Sequence, residues 1–451
     1  MKEKRGSFTG SIGFVMAAAG SAVGLGNLWR FPYLAAQYGG GIFILVYLIL
    51  AVTFGFALLI TEIAIGRKTK GSSVVAYRKL DKRFGFLGYL AGAVPLIILP
   101  YYCVIGGWVL KYVTVFITGQ GSAAAGKSFF GDFIGGTTAP LVFFFIFLLA
   151  TMIVIIGGVQ KGIERVSRLL MPVLIVITVG ICIYVCTIPN AGEGIKYYLL
   201  PDFSKFSFKT ICAAMGQLFF SMSLAMGIMI SYGSYVKDDV NVGTAVNQIE
   251  IFDTVVAFMA GFMIVPAVYV FSGEAGLSTS GPGLMFQTLP KVFDSMPMGG
   301  VIGACFFILV LFAALTSSIS VMEATVSMAM DRWKFSRKKA ALIIFAISIV
   351  LGIPSSLGNG IWSHIKLLGM DFLTFFDFIT NSVIMPIVAL GTCILIGWMT
   401  GTKHIEDEVT KNGEKFSRLG VYRIMIKYIA PVFMVIILVF YTLAQFGVIK
   451  F

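Results

Sequence analysis

The chain has 451 residues, 58% of them hydrophobic and only 12% charged, with a net charge of +13. A soluble domain needs a polar outer face, so this composition excludes a soluble globular protein of this length. The six cysteines (Cys103, Cys182, Cys186, Cys212, Cys305, Cys393) are scattered in apolar runs without a CxxC pair, and the two histidines (His364, His404) lie far apart. These spacings point to no disulfide framework and no histidine-based metal site.

Apolar runs of about 20 residues, the length that spans a bilayer, recur along the chain. Runs such as 141–157 are continuously apolar and do not alternate, which selects helices over barrel strands. The fold class expected is an all-α polytopic membrane protein. Eleven segments are read in chain order: 10–38, 41–66, 86–118, 140–157, 162–187, 210–236, 245–272, 299–331, 338–353, 367–399 and 425–448. The first is too long for a cleaved signal peptide and is read as retained. Lys and Arg concentrate in alternate loops, at 67–83, Lys161 and 332–339, while the intervening loops hold few. This bias is better explained by orientation than by a nucleic-acid partner. It places the N-terminus in the cytoplasm and, with eleven spans, the C-terminus outside.

Two segments break the pattern. The first contains GSAVGLGNLWRFP (20–32), with three glycines, Asn27 and Arg30 in what should be helix interior. The sixth contains MGQLFFSMSLAMG (215–227), with Gln217, Ser221 and Ser223 at its centre. Interrupted helices are tolerated at membrane depth only where the freed backbone lines a cavity or binds something. First and sixth of eleven are corresponding positions in two five-helix halves, the mark of a binding site in an inverted-repeat transporter. The expected organisation is a single integral membrane domain over 1–451. It has a 5+5 inverted repeat, about 10–187 and 210–399, helices 1 and 6 unwound at mid-membrane, and an extra helix at 425–448.

A sodium ion stripped of water needs several oxygens at close range. Segment one offers the carbonyls of Gly20, Ala22 and Val23 and the Asn27 amide. Segment six offers Ser221, segment seven Asp253, and segment eight Thr316 and Ser317 beside the Ala313 carbonyl. A single Ser or Thr in a membrane helix commonly bonds its own helix or a neighbour, so the set carries the reading. Glu62 is expected to accept bonds from amides freed in segment six.

The strings GSAVGLGNLWRFPY (20–33), GGG (39–41), GIER…MP (162–172), GQLFFSMSLAMG (216–227) and LTSSIS (315–320) resemble the neurotransmitter:sodium symporter family over nearly the whole chain. The branch it looks like is the eleven-helix bacterial amino-acid transporters of the plasma membrane. The resemblance implies two sodium ions. One would be held by the Ala22 carbonyl, Asn27, Ser221 and Asp253, the other by the carbonyls of Gly20, Val23 and Ala313 with Thr316 and Ser317. It implies an amino-acid substrate whose carboxylate meets the Gly24, Leu25 and Gly26 backbone and Tyr102. The ammonium would face carbonyls near Ala22 and Phe220 with Ser223. The side chain would meet Phe220, Met226, Ser317 and Val321, with Ser221 close by. Met226 stands where a Phe would narrow the pocket, which favours a large apolar or aromatic side chain, although a helical Met is also plain core packing.

The family's monoamine branch carries Asp at position 24. Gly24 supplies no carboxylate, so the substrate must bring its own. Asp253 replaces a commoner Asn, and a built-in carboxylate implies chloride-independent transport, with Tyr47, Gln217 and Ser221 around a vestigial halide position. A proton-carrying or merely hydrogen-bonded Asp253 is the alternative. Arg30 with Asp377 is the expected outer gate, helped by Tyr102 and Phe220, and Arg5 with Asp331 the inner one, with Tyr235 nearby. Intramembrane charges are functional candidates by default, though Arg30 could also snorkel. Gly162 and Pro172 give a spacing tied in this family to unwinding of helix 5, or else a simple kink. A non-transporting amino-acid receptor and a sodium channel are the rival readings. No nucleophile–base pair, HExxH motif or phosphate loop supports an enzyme. Oligomeric state is left open.

Overall fold

Backbone groups that cannot reach water must pair within their own segment, and the apolar runs do so as helices. The computed structural model describes residues 6–277 and 281–447, and every regular element among them is helical. In chain order the principal helices are α1 (Ser11–Ala22), α2 (Gly26–Gln37), α3 (Gly41–Thr69), α4 (Lys82–Ile117), α5 (Thr138–Ile156), α6 (Val159–Cys186), α7 (Phe208–Ser221), α8 (Ile228–Gly233), α9 (Val242–Leu277), α10 (Gly299–Trp333), α11 (Arg337–Leu357), α12 (Phe372–Met399) and α13 (Leu419–Gln445). Among the described residues nine helices are long and apolar enough to cross a bilayer, and α1 with α2, bent by 49°, pass the same test together, giving ten if the bent pair is one span. At 14 and 6 residues, α7 and α8 are each too short to span alone.

Some stretches read as loops carry short helices, among them Ser73–Leu80, Ala191–Leu199, Leu289–Ser295 and Lys403–Val409. At about two turns each they are too short for hydrophobic periodicity to declare them.

The two odd segments have defined geometry. Helical geometry stops at Ala22, and Val23 is extended with ψ 95°. The chain resumes as a wide π-helical turn over Gly26–Arg30. In the other segment α7 ends at Ser221, and Ser223, Ala225 and Gly227 all take positive φ (53°, 59° and 67°) before α8 begins. Positive φ at a serine and an alanine is backbone strain that the surroundings must hold in place. Glu62 supplies part of that hold: its buried Oε1 accepts the Ala225 N–H at 2.6 Å.

Close backbone packing fixes α3 against α8. A Cβ on Gly66 would stand 2.0 Å from the Ile230 carbonyl oxygen, so glycine is required there. The next residue, the fully buried Arg67, ties α3 to the loop at Val240 and to the short helix Lys403–Val409. Its Nε donates to Glu408 Oε1 at 2.6 Å, Nη1 donates to the Val240 carbonyl at 2.6 Å, and Nη2 donates to the Glu408 carbonyl. Nearby, Lys70 and Lys411 flank Asp238 at 2.9 and 3.0 Å. Their hydrogen bonds hold its carboxyl down at about 2. Removing one partner of a buried pair strands the other charge at a cost of about 3–5 kcal/mol, whereas replacing both is close to neutral. Arg67→Met is therefore expected to lower the melting temperature of the detergent-solubilised protein sharply. Arg67→Met/Glu408→Met should recover most of the loss. A double variant no better than the single would show that the pair is not what is being measured.

Candidate ion and substrate site

The breaks in α1–α2 and α7–α8 face each other, and side chains from α9 and α10 close the space between them. Asp253 on α9 is fully buried. Its Oδ1 accepts the Asn27 amide N–H at 2.8 Å and the Ser221 hydroxyl at 2.6 Å, and its Oδ2 accepts the Tyr47 hydroxyl at 3.0 Å. The Asn27 Oδ1 lies 3.3 Å from Ser221 Oγ and accepts the Gly24 N–H at 3.2 Å. Three side-chain oxygens from three elements thus converge on one point next to the Ala22 break. The donor set is all oxygen with one carboxylate, which suits a hard monovalent cation.

A second cluster lies on the other side of the break. The Ser317 hydroxyl is 3.3, 3.1 and 3.4 Å from the carbonyls of Gly20, Ser21 and Val23. Thr316 Oγ1 lies 3.1 Å from the Ala313 carbonyl and 3.0 Å from that of Phe312. A Cβ on Gly20 would be 3.2 Å from Thr316 Cβ, so α1 and α10 are in direct contact here. Gly20, Val23, Ala313, Thr316 and Ser317 therefore come together from two helices that are distant in sequence.

Between the clusters lies a small cavity. Ala22, Gly24, Leu25 and Gly26 form one wall, Phe220, Ser221, Ser223 and Met226 another, and Tyr102, Ser317 and Val321 close it. The Tyr102 hydroxyl is 3.4 Å from the Leu25 amide. All eleven expected substrate residues line this one space. Sequence reasoning missed Ser21 and Ile98, which also line it. Ser21 Oγ is 3.1 Å from Ser223 Oγ, and Ser223 Oγ also donates to the Ser21 carbonyl at 3.2 Å. Serine within the first broken segment was the available signal. Ile98 had none, being one apolar residue among many on α4.

The gates are placed less uniformly. Arg30 and Asp377 line a shared chamber of about 190 Å³ with Phe220, Asn381 and Tyr441. No ion pair within 4.0 Å joins them in this structure. Asp377 instead accepts the Tyr101 hydroxyl at 3.1 Å and the Asn381 amide N–H at 2.6 Å. The Arg30 guanidinium sits 6.0 Å from the Phe220 ring centre. On the other side Asp331 accepts the Ser72 N–H at 2.7 Å, and Arg5 lies outside the described residues. Tyr235 donates to Glu323 at 2.6 Å, and Glu323 forms a two-pronged pair with Arg337 at 2.6 and 2.8 Å. The sequence reading missed Glu323, although an acidic residue inside an apolar helix was signal enough. Gly162 sits in a π-helical turn at the start of α6, and the helix continues unbroken through Pro172. Gln217 donates to the Gly26 carbonyl at 2.9 Å, and its buried Oε1 has no partner.

The sequence profile of the Sodium:neurotransmitter symporter family matches residues 5–125 and 131–450, nearly the whole chain. The chain belongs to this family. An uncharacterised sodium-dependent transporter, YhdH of Bacillus subtilis (strain 168), is 33% identical over 443 residues, covering 97% of each chain. A second one, from Haemophilus influenzae (strain ATCC 51907 / DSM 11121 / KW20 / Rd), is 31% identical over 456 residues, 97% of this chain and 98% of its own. Among solved structures, MhsT in complex with L-phenylalanine superposes with a TM-score of 0.88 at 36% identity, over 97% of this chain and 99% of its own. This symporter is thus a multi-pass membrane protein that uses sodium to drive transport and is not an enzyme.

Proposed function

We propose that this symporter carries amino acids with large apolar or aromatic side chains, two sodium ions at a time, without requiring chloride. The observation that carries the substrate class is Gly24. Its backbone and the neighbouring Leu25 amide stand beside the Tyr102 hydroxyl, and no protein carboxylate faces the cavity from that position. Half-helix N-termini and freed amides favour a carboxylate, and half-helix C-termini favour an ammonium. A substrate with both groups fits. Met226 and Val321 bound the side-chain end with pliable apolar surface. MhsT, solved with L-phenylalanine, is in keeping with that size.

The two oxygen clusters are the two sodium sites of this reading. The Asp253 carboxylate joins the first and supplies the negative charge that a halide would otherwise bring. Each ion crossing 100 mV yields about 2.3 kcal/mol, and a tenfold gradient adds about 1.4 kcal/mol. Two ions supply roughly 7 kcal/mol, enough for about a 10⁵-fold substrate gradient. Sodium drives the cycle only if it favours one conformation over the other, so both clusters must loosen when the protein opens inward. Arg30 with Asp377, and Arg5 with Asp331 and Tyr235, are the outer and inner gates, and Gly162 and Pro172 mark where α6 opens.

The architecture of this reading has eleven spans, α7 with α8 forming the sixth. The halves are 10–187 and 210–399, and the two breaks lie at mid-membrane. The protein sits in the bacterial plasma membrane with its N-terminus in the cytoplasm. The test is uptake into proteoliposomes of twenty labelled amino acids, with and without sodium. Sodium-dependent uptake confined to apolar and aromatic amino acids is expected. Preference for small, charged or carboxylate-free substrates would overturn the substrate class.

A further inference from the structure

One end of α4 and the turn between α10 and α11 share a surface that no part of the transport reading uses. The end of α10, the turn and the first residues of α11 carry Arg332, Lys334, Lys338 and Lys339, all exposed. Among the described residues none of these four cations has a carboxylate within ion-pair distance. Arg337, the first residue of α11, behaves differently, pointing inward onto Glu323. The acidic groups nearby are already engaged: Asp331 with the Ser72 N–H, and Asp81 with Arg83.

Aromatic rings interleave with these cations. Lys339 Nζ lies 4.5 Å over the Phe335 ring, and Phe335 stacks on Trp333 at 6.0 Å and 25°. Arg332 Nε donates to the Tyr89 hydroxyl of α4 at 2.9 Å, which joins the two elements into one patch. Phe86 lies one turn before Tyr89 on the same face. Phe86, Tyr89 and Trp333 are 56%, 49% and 55% exposed.

A loop bathed only in water has no reason to present three large exposed rings. A surface facing only acyl chains has no reason to present four exposed cations without a carboxylate partner, Lys334 bonding only the Asp331 carbonyl at 2.7 Å. Rings and cations together suit the headgroup level of a bilayer, where Trp and Tyr settle and basic groups meet anionic lipid. The Arg332 guanidinium, anchored through Nε, leaves its two terminal nitrogens to fork onto a phosphate.

We propose that this patch docks the phosphate headgroup of an anionic phospholipid, with Arg332 and Lys339 as its charge partners and Trp333 beside the acyl–headgroup boundary. Charge complementarity argues for an anionic lipid over a zwitterionic one. Arg332 directly follows Asp331, so a bound lipid sits next to a proposed inner-gate residue. Only that last consequence rests on the transport reading.

The experiment reads Trp333 fluorescence, taken as the difference between wild type and Trp333→Phe, in phosphatidylcholine vesicles doped with brominated lipid. Brominated phosphatidylglycerol is expected to quench with an apparent affinity at least about fivefold higher than brominated phosphatidylcholine, the size expected from one basic group at an anionic leaflet. Arg332→Gln/Lys339→Gln should bring the two lipids to parity, and Lys339→Gln alone should fall between. Thermal melting verifies that each variant is folded. Equal quenching by both lipids in the wild type, or a preference unchanged in the double variant, overturns the proposal. Neither readout depends on transport, so failure of the substrate assignment leaves this test intact.

Discussion

Asp253→Asn is expected to weaken apparent sodium affinity in substrate uptake by at least about 100-fold, and to abolish uptake when chloride is replaced by gluconate. The carboxylate is fully buried and accepts from Asn27, Ser221 and Tyr47. Those three are neutral donors, so no cationic side chain is among the groups that bond it, and the sodium ion is the counter-charge in this reading. Breaking a buried ion pair at one partner costs about 3–5 kcal/mol, which is more than two orders of magnitude in affinity. The amide that replaces the carboxylate keeps its shape and one acceptor oxygen, so the loss is one of charge rather than packing. Wild-type uptake should be indifferent to the gluconate exchange. Added chloride should partly restore the variant, because in this reading Tyr47, Ser221 and Gln217 surround the position where a halide would replace the missing charge. If the wild type itself fails in gluconate, the chloride-independent reading is wrong.

Gly24→Ala should lower substrate affinity by roughly 5- to 150-fold, the range of about 1–3 kcal/mol for overpacking a filled site. A Cβ there would stand 2.5 Å from Ser317 Oγ and 3.2 Å from the Tyr102 hydroxyl. Ser317 cannot swing away freely, since its hydroxyl lies among three carbonyls of the α1 break and donates to one of them, with Ser21 at 3.1 Å the nearest. The methyl group would therefore disturb the substrate cavity and the second oxygen cluster together. The measurement is competition binding of the preferred amino acid across a sodium titration. A loss of substrate affinity accompanied by a shift in the sodium midpoint is expected. Unchanged binding would remove Gly24 from the site.

How much of this was visible in the sequence depends on the kind of signal. Run length and continuous hydrophobicity declared the helical membrane bundle without help, because the bilayer imposes one length and one backbone solution. Glycine and polar residues inside apolar runs singled out the stretches 20–32 and 215–227, within which regular helix stops at Ala22 and at Ser221. The partners across space were another matter. That Asp253 meets Asn27 and Ser221, or that Ser317 reaches three carbonyls of α1, depends on how distant helices cross, and no local pattern encodes it. The family resemblance supplied those pairings. Arg30 and Asp377 share a chamber here without an ion pair within 4.0 Å, and Tyr235 bonds Glu323, a partner the resemblance did not name. Short amphipathic helices such as Lys403–Val409, and the Arg67–Glu408 tie beneath it, gave no periodic signal because two turns are too few.

Coupled symport, as opposed to sodium-gated reception or simple conduction, is decided by uphill accumulation. In proteoliposomes held at a fixed potassium–valinomycin potential, the steady-state accumulation ratio of the preferred amino acid is measured against the imposed sodium gradient. The logarithm of that ratio should rise with a slope of two against the logarithm of the sodium gradient, in gluconate as in chloride. Saturable binding with no accumulation above equilibrium, at any sodium gradient, would contradict sodium-coupled symport of an amino acid.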